Sequence, residues 1–343
     1  MNPGLVSIVV LNWNGKDVIF ECLDSLLQQT YRPFEIVLVD NGSTDGSLEM
    51  IRERYGASLV IVASKTNVGF AEGCNVGIRA SKGEFIALVN SDATMEPSWL
   101  AEMVKGIQEP SVGMCASKIY YYGKKGLIEN TGQTITRDAL GRTRGRLEKD
   151  EGQYDSVTEV FCPSGCAGLY RRDMMEKIGL FDGLFFAYAD DIDVGLRGRL
   201  LGYQCHYIPT AVAYHKLSAS FGLLSSFKAY LVERNRLWVL IKCFPMRHLL
   251  QAPWYTLTRY FYHFYGIFHR QGPAAQFLKK SSFLSLAWVA VKVYLSTFWH
   301  LPHLLKERAR VRRESKVSSR EFEQWLTRFG LTSREAALKE LSF

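Results

Sequence analysis

No disulfide framework runs through this 343-residue chain. Its seven cysteines (Cys22, Cys74, Cys115, Cys162, Cys166, Cys205 and Cys243) are odd in number and scattered, several within apolar runs, which points to free thiols in a reducing compartment. Cys162 and Cys166 are the only close pair, and without a second pair or a histidine cluster nearby they do not read as a zinc site. The amino terminus lacks a basic n-region and a small-residue cleavage site, and its apolar run is too short for a signal peptide. It reads as a first strand, so folding is expected to begin in the cytoplasm. Neither a dinucleotide fingerprint nor a P-loop is present, which lowers the oxidoreductase and NTPase readings. Acid is in deficit, with 34 Asp and Glu against 42 Lys and Arg, a formal charge of +8. Such a balance suits a polyanion: nucleic acid, an anionic membrane surface or a phosphorylated substrate.

What is present is a folding composition, 47% hydrophobic and 22% charged. In the first half, strand-like runs (Val6–Leu11, Glu35–Val39, Leu59–Ala63, Phe85–Val89) alternate with helical patterns at Lys16–Gln28, Ser47–Tyr55 and Glu72–Ala80. That alternation predicts an α/β fold with a mostly parallel sheet, whose ligand sits beyond the carboxyl ends of the strands. Those ends are polar: Asn12-Trp13-Asn14, Asp40-Asn41-Gly42-Ser43, Lys65-Thr66-Asn67 and Asn90-Ser91-Asp92. A less regular stretch, about 115 to 160, reads as a flap over a cleft.

Past Arg236 the composition changes, which divides the chain into an α/β domain over 1–236 and a helical, apolar and basic region over 237–343. Ser281–Leu301 carries one charge, Lys292, and approaches the ~20 residues of a bilayer-spanning helix. The basic run from Lys306 to Arg320 behind it suits an interfacial helix beside anionic lipid at least as well. A nucleic-acid binder would instead interleave its basic stripe with stacking aromatics, so no nucleic-acid partner is expected.

Several segments carry chemistry. Asp40, after a buried strand, can accept hydrogen bonds from a base or ribose; its plainer reading is a turn or cap, a task for which Asp45 and Ser47 are better placed. The run from Asn67 to Gly77, with Gly69 and Asn75, puts small residues and amides at a loop-to-helix junction, a ready diphosphate site or simply close packing. Asp92 offers oxygen to a hard cation, and His215, after the strand-like Ala211–Tyr214, is either a second ligand or an ordinary hydrogen-bonded histidine. Asp190, Asp191 and Asp193 open a helix, where acid favours the dipole. Three acids exceed what capping needs, and adjacent like charges raise one another's pKa, which suits a general base. Asp193 can pair with Arg197 one turn on.

Taken together these motifs, over about residues 5 to 240, resemble family 2 glycosyltransferases of the GT-A fold, in particular the rhamnosyltransferase-like branch of bacterial cell-surface polysaccharide synthesis. The resemblance implies a GT-A fold with a mixed, mostly parallel sheet flanked by helices, followed by a helical membrane-associating region. It places Leu11, Asn12 and Trp13 around the nucleotide base, Asp40 and Asn41 in the base-binding motif, and Asn67, Gly69 and Asn75 along the ribose and diphosphate. Asn90, Ser91 and Asp92 stand at the DXD metal motif, whose first Asp is Asn here, so Asp92 carries the metal contact. Ser164, Gly165 and Cys166 match the segment beneath the transferred sugar. Asp190-Asp191 match the family's acidic pair, with Asp191 the base and Asp190 orienting it or the acceptor, and His215 matches a later histidine that ligates metal.

The implied reaction is a single displacement with Mg2+ or Mn2+, inverting the anomeric carbon. The branch implies dTDP-β-L-rhamnose as donor and a saccharide on a polyprenyl diphosphate as acceptor, at the cytoplasmic face of the cell membrane. A UDP-hexose donor is the alternative, a homo-oligomer is compatible with this reading, and a non-catalytic nucleotide-sugar-binding protein is a further reading.

Overall fold

The computed structural model describes residues 2–217, 225–278 and 282–339. By its contacts the chain forms two compact units: Met1–Gln133 with Thr143–Ser218, and Thr134–Arg142 with Ala219–Phe343.

The first unit is built on β1 (Asn2–Asn12), α1 (Ile19–Leu27), β2 (Phe34–Asp40), α2 (Ser47–Tyr55), β3 (Val60–Ala63), α3 (Phe70–Ala80), β4 (Gly83–Asn90), β5 (Ala93–Met95), α4 (Trp99–Gly106), β6 (Val112–Tyr121) and β7 (Ile128–Asn130). Further along the chain β8 (Gln133–Thr136) and β9 (Gly141–Thr143) are followed by β10 (Ala167–Arg171), α5 (Arg172–Ile178), α6 (Asp190–Leu200) and β11 (Gln204–His215). The sheet order is β3-β2-β1-β4-β10-β6-β11-β5, with β7 on β6. The β3-β2-β1-β4 half is parallel, β10 runs antiparallel to both its neighbours, and β11 is parallel to β6. Strands covered on both faces read as unbroken apolar runs, and Val6, Ile8, Val9, Val10, Leu38 and Ala87 are all buried.

The expected strands and helices are present, Ser47–Tyr55 with the expected bounds and the others with shifted ends; the first helix begins at Ile19 rather than Lys16. The flap reading needs correction at its start. Residues 115–121 lie in β6, whose ten residues are nearly all buried at the middle of the sheet. Glycine and tyrosine richness suggested a loop, but β6 is paired on both sides, by β10 and β11, and buried along its length. All seven cysteines are buried free thiols.

The second unit holds α7 (Ser226–Cys243), α8 (Met246–Phe268), α9 (Gly272–Leu278), α10 (Phe283–Trp299), α11 (Leu301–Glu314), α12 (Ser319–Arg328), β12 (Gly330–Leu331) and α13 (Ser333–Leu338). A small sheet of order β12-β8-β9 draws residues 134–142 into it. The compositional change at Arg236 falls inside α7, a continuous helix that belongs whole to this unit.

An ion cluster explains why 134–142 belongs here. Asp138, fully buried, accepts from Arg259 Nε at 2.8 Å, and Arg259 also grips Glu233 at 2.8 and 3.0 Å. Arg236 donates to the Asp138 carbonyl at 2.7 Å and to Glu233 at 3.0 Å. Burial works against the charge on both carboxylates, but the two guanidinium groups outweigh it and hold them below the usual range.

Among the described residues no single helix is long and apolar enough to cross a bilayer. Leu284–Trp299 with Leu301–Glu314 passes by length and composition as a pair bent by 65°. Ser281, the first residue of the apolar stretch read from the sequence, lies outside the described residues.

Candidate active site

Register brings the polar strand ends together. Asn12 pairs with Asp40 and Leu11 with Asn90, so β1, β2 and β4 finish level at one edge of the sheet. Asn12 is buried and donates to Asp40 Oδ1 at 3.0 Å, Ser43 Oγ at 3.2 Å and Ser47 Oγ at 2.9 Å. The other Asp40 oxygen accepts from the Ser43 amide at 3.1 Å, the turn geometry that Asn41-Gly42-Ser43 predicts. Asp45 takes the Ser47 amide and hydroxyl at 3.0 and 2.6 Å in the turn before α2, whose N-cap position is Gly46 and has no side-chain cap, so the capping role expected of Asp45 and Ser47 is not met. Leu11 packs where a side chain on Gly73 would stand, and Trp13 follows in the loop after β1.

The loop before α3 departs from expectation. Its amides do not stand open for a diphosphate. Val68 N–H donates to Asn41 Oδ1 at 3.0 Å, Gly69 N–H to Asn67 Oδ1 at 2.8 Å, and the Phe70 and Ala71 amides both donate to the Phe186 carbonyl, at 2.5 and 3.2 Å. Gly69 has φ +87°, and a Cβ there would lie 2.6 Å from the Phe186 carbonyl oxygen, so only glycine admits this approach. Asn75 is buried and exchanges two bonds with the Phe181 backbone, at 2.9 and 3.0 Å. Gly69 and Asn75 lock the 181–186 segment onto α3, the close packing that small residues at this junction equally allow.

That segment leads into α6, which carries the acidic pair. Phe186, Tyr188 and Ala189 all have positive φ, between 59° and 69°. Three such residues in four positions are strained, and strain of this kind collects where a site is held in place. Asp193, one turn from Arg197, is bound by it at 2.8 Å inside the core, as its spacing predicts. Gly195 lets α6 sit against Cys162, where a Cβ would approach to 2.2 Å.

Asp191 Oδ2 accepts from the Gln133 side-chain amide at 2.9 Å, Oδ1 from the Ile192 N–H at 2.8 Å, and the Gly165 N–H also donates to this carboxylate. Burial still raises its pKa above the usual carboxylate range. Asp190 is buried, and burial together with the adjacent Asp191 charge pushes it up to about 8.

Residues 164–166 connect this pair to a second cluster. Ser164 Oγ accepts from the Cys166 amide at 3.2 Å, the Cys166 carbonyl accepts from the Asn90 amide at 2.9 Å, and the Cys166 thiol hydrogen-bonds His215. Ser91 lies between Asn90 and Asp92, partly exposed. The antiparallel register of β11 on β5 sets His215 opposite Ala93, so its ring reaches Asp92: Nε2 lies 3.1 Å from Oδ1. Its Nδ1 is 4.0 Å from Glu129 Oε2 on β7. Burial opposes a charge on His215, but Cys166 and Asp92 outweigh it and raise its pKa. Burial raises that of Glu129.

Among the buried atoms without a hydrogen-bond partner are Asn12 Oδ1, Asp190 Oδ2, Glu129 Oε2 and His215 Nδ1. Orphaned buried groups are rare and call for a reason such as a ligand or ion. Sequence reading missed Gln133 and Glu129, which sit in the glycine-rich stretch outside any motif. No local signal marks them, because both reach the site through sheet pairing.

A family model described as glycosyl transferase family 2 matches residues 7–179, just over half of the sequence, and the chain belongs to that family. Relatives include a putative glycosyltransferase, EpsH, of Bacillus subtilis, 28% identical over 222 residues covering 63% of this chain and 60% of that protein. The O-antigen biosynthesis protein RfbC of Myxococcus xanthus is 26% identical over 224 residues, 63% of this chain and 17% of its own length. This chain thus spans only part of the length of the relatives it matches, from 17% to 60% for these two.

Similar solved structures include S. aureus TarS 1–349 in complex with UDP-GlcNAc (TM-score 0.54, 20% identity, covering 93% of this chain and 91% of that one). GalNAc-T7 with UDP, GalNAc and Mn2+ is another (TM-score 0.56, 15% identity, 69% and 47%). The fold is that of the GT-A glycosyltransferases.

Proposed function

We propose that this chain performs inverting transfer of a sugar from a nucleoside diphosphate to a hydroxyl of a saccharide on a polyprenyl diphosphate lipid, at the cytoplasmic face of the cell membrane. The observation that carries the proposal is the Asp191 carboxylate, raised in pKa by burial yet aimed by Gln133, Ile192 and Gly165. A raised carboxylate held by fixed donors is suited to take a proton near neutral pH. Asp191 removes the acceptor proton as the acceptor oxygen bonds the anomeric carbon. The bond from that carbon to the diphosphate breaks, its electron pair leaves with the diphosphate, and configuration inverts. Asp190 shares the site and orients Asp191 or the acceptor.

Asp92 and His215 are the residues that would hold a divalent cation, Mg2+ or Mn2+. They fit it in part: carboxylate oxygen and imidazole nitrogen converge at 3.1 Å, and the orphaned His215 Nδ1 faces Glu129 as a carboxylate behind a ligating histidine would be faced. Among the described residues no third His, Cys, Asp or Glu completes a cluster, so the remaining positions would have to come from phosphate oxygens and water. When bound, it would offset charge on the departing diphosphate. Leu11, Asn12, Trp13, Asp40 and Asn41 are assigned to the nucleoside, Asn67, Gly69, Asn90 and Ser91 to the rest of the donor, and Ser164, Gly165 and Cys166 to the floor beneath the sugar.

For the donor we favour dTDP-β-L-rhamnose, supported by the motif resemblance and by the O-antigen relative; UDP-hexoses are the alternative, supported by the UDP-GlcNAc bound to TarS. The test is release of nucleoside diphosphate by purified protein with Mg2+, a panel of dTDP- and UDP-sugars and a lipid-linked acceptor. Acceptor-dependent turnover of one donor, lost in Asp191→Asn, supports the proposal and names the sugar. Donor binding without turnover would instead make the chain a nucleotide-sugar-binding protein.

A further inference from the structure

Helices α8 and α10 each carry an apolar stripe on the side turned away from their packing partners. On α8 it runs Leu250, Trp254, Leu257, Phe261, Phe264 and Phe268, all between 54% and 74% exposed. On α10 it runs Leu284, Trp288, Val291, Leu295 and Phe298, between 44% and 79% exposed. Both follow steps of four and three, so each stripe occupies one helix face. The opposite faces are already used. Ala252, Arg259 and Gly266 of α8 are buried, as are Val289, Val293 and Thr297 of α10, where the Trp238 indole N–H of α7 donates to Thr297 at 3.2 Å. A helix with one face fixed in protein and an unpartnered apolar face needs a further apolar surface.

Charge selects the occupant. From Arg234 to Lys306 the chain contains ten Lys and Arg and not one Asp or Glu. Arg247, Arg270, Lys292 and Lys306 are exposed within it, and Arg313 follows on α11. Two copies meeting through these faces would set cation against cation, without the opposed charges that flank paired helices. The stripes are also rich in Trp and Phe, with Tyr260, Tyr265 and Tyr294 exposed alongside, which suits the amphipathic headgroup boundary of a bilayer.

We infer that the exposed faces of α8 and α10 are a monotopic docking surface for an anionic phospholipid bilayer, lying in the interface with the neighbouring Lys and Arg on the headgroups. Neither helix leaves the fold to do so, because the inner face of each stays packed. The inference deepens the membrane part of the proposed function and rests on it only for location. Its test reads lipid binding rather than turnover, so either can fail alone.

The experiment is co-sedimentation of the full chain with phosphatidylcholine vesicles with and without phosphatidylglycerol, at low and high salt. Binding is expected to require the anionic lipid and to weaken with salt, as exposed cations are screened. Trp254→Ser with Phe261→Ser and Phe264→Ser should lower partitioning roughly a hundredfold or more, since each inserted side chain contributes through its buried apolar area. Donor binding and Tm should stay unchanged. In the unaltered protein, tryptophan fluorescence should be quenched by lipids brominated near the headgroup more than by those brominated at the chain ends. Equal binding to neutral vesicles, absence of quenching, strongest quenching at the bilayer centre, or a dimer that the triple substitution converts to monomer would each overturn the inference.

Discussion

The Gln133 side-chain amide donates to the Asp191 carboxylate across 2.9 Å, tying the strand that leaves the glycine-rich stretch to the first turn of α6. Asp191 keeps a second oxygen on the Ile192 amide, so its direction is set by two elements far apart in sequence. Asp191→Asn should therefore lower acceptor-dependent turnover by about 10²–10⁴-fold while leaving donor affinity intact. Gln133→Ala should produce a smaller fall in kcat with a shifted pH profile. Steady-state kinetics with donor titration separates the two.

Asp190 gives a pH dependence of defined sign. Its folded-state value, about 8, lies above the ordinary 3.8, so over that interval the unfolded chain binds fewer protons than the folded one. Stability is then lost as pH rises, and what Asp190 contributes below about pH 4 is gone above its folded value. Asp190→Asn should raise Tm at pH 8.5 and flatten the decline between pH 6 and 9. Thermal melts of both proteins across that range check it; parallel curves would remove Asp190 as the cause.

Glu129 stands 4.0 Å behind His215. A carboxylate behind a ligating imidazole fixes its orientation, and losing one costs about 10–100-fold in metal affinity. Glu129→Ala should weaken Mn2+ binding by that order with the Asp92 contact retained. Titration calorimetry without acceptor reads this independently of catalysis. Asp92→Asn should be the more severe change.

Arg259 holds two carboxylates in the second unit. Arg259→Met takes from Asp138 and Glu233 one of the two guanidinium groups described around them, and removing one partner of a buried ion cluster costs about 3–5 kcal/mol. Urea unfolding should show that loss. Because both carboxylates are depressed in the folded state, the native protein should also lose stability as pH falls below their unfolded values, and the variant should lose less.

Gly69→Ala places a Cβ 2.6 Å from the Phe186 carbonyl at a φ of +87°. Strain alone costs about 1–3 kcal/mol. The 67–71 and 183–189 loops should loosen together, visible as faster amide exchange at Phe70 and Ala71, whose protons are held by Phe186.

Much of this protein was determined by local sequence. Buried parallel strands need unbroken apolar runs, so β1, β2 and β4 announced themselves, and their polar ends fell where such sheets place ligands. Asp191, Asp92 and His215 stood out as candidates because each closes or opens a regular element, and the family resemblance supplied their expected roles. What only tertiary structure decided depended on register and packing. The pairing of β11 with β5 brought His215 to Asp92 across 123 positions, and β7 brought Glu129 behind it. The amides before α3 looked open until Phe186, more than a hundred residues on, was seen to take them. Residues 134–142 joined the helical unit because Asp138 needed Arg259 and Arg236 to be buried as a charge. Periodicity within a segment is written in that segment, whereas a hydrogen-bond partner is selected from the whole chain by folding.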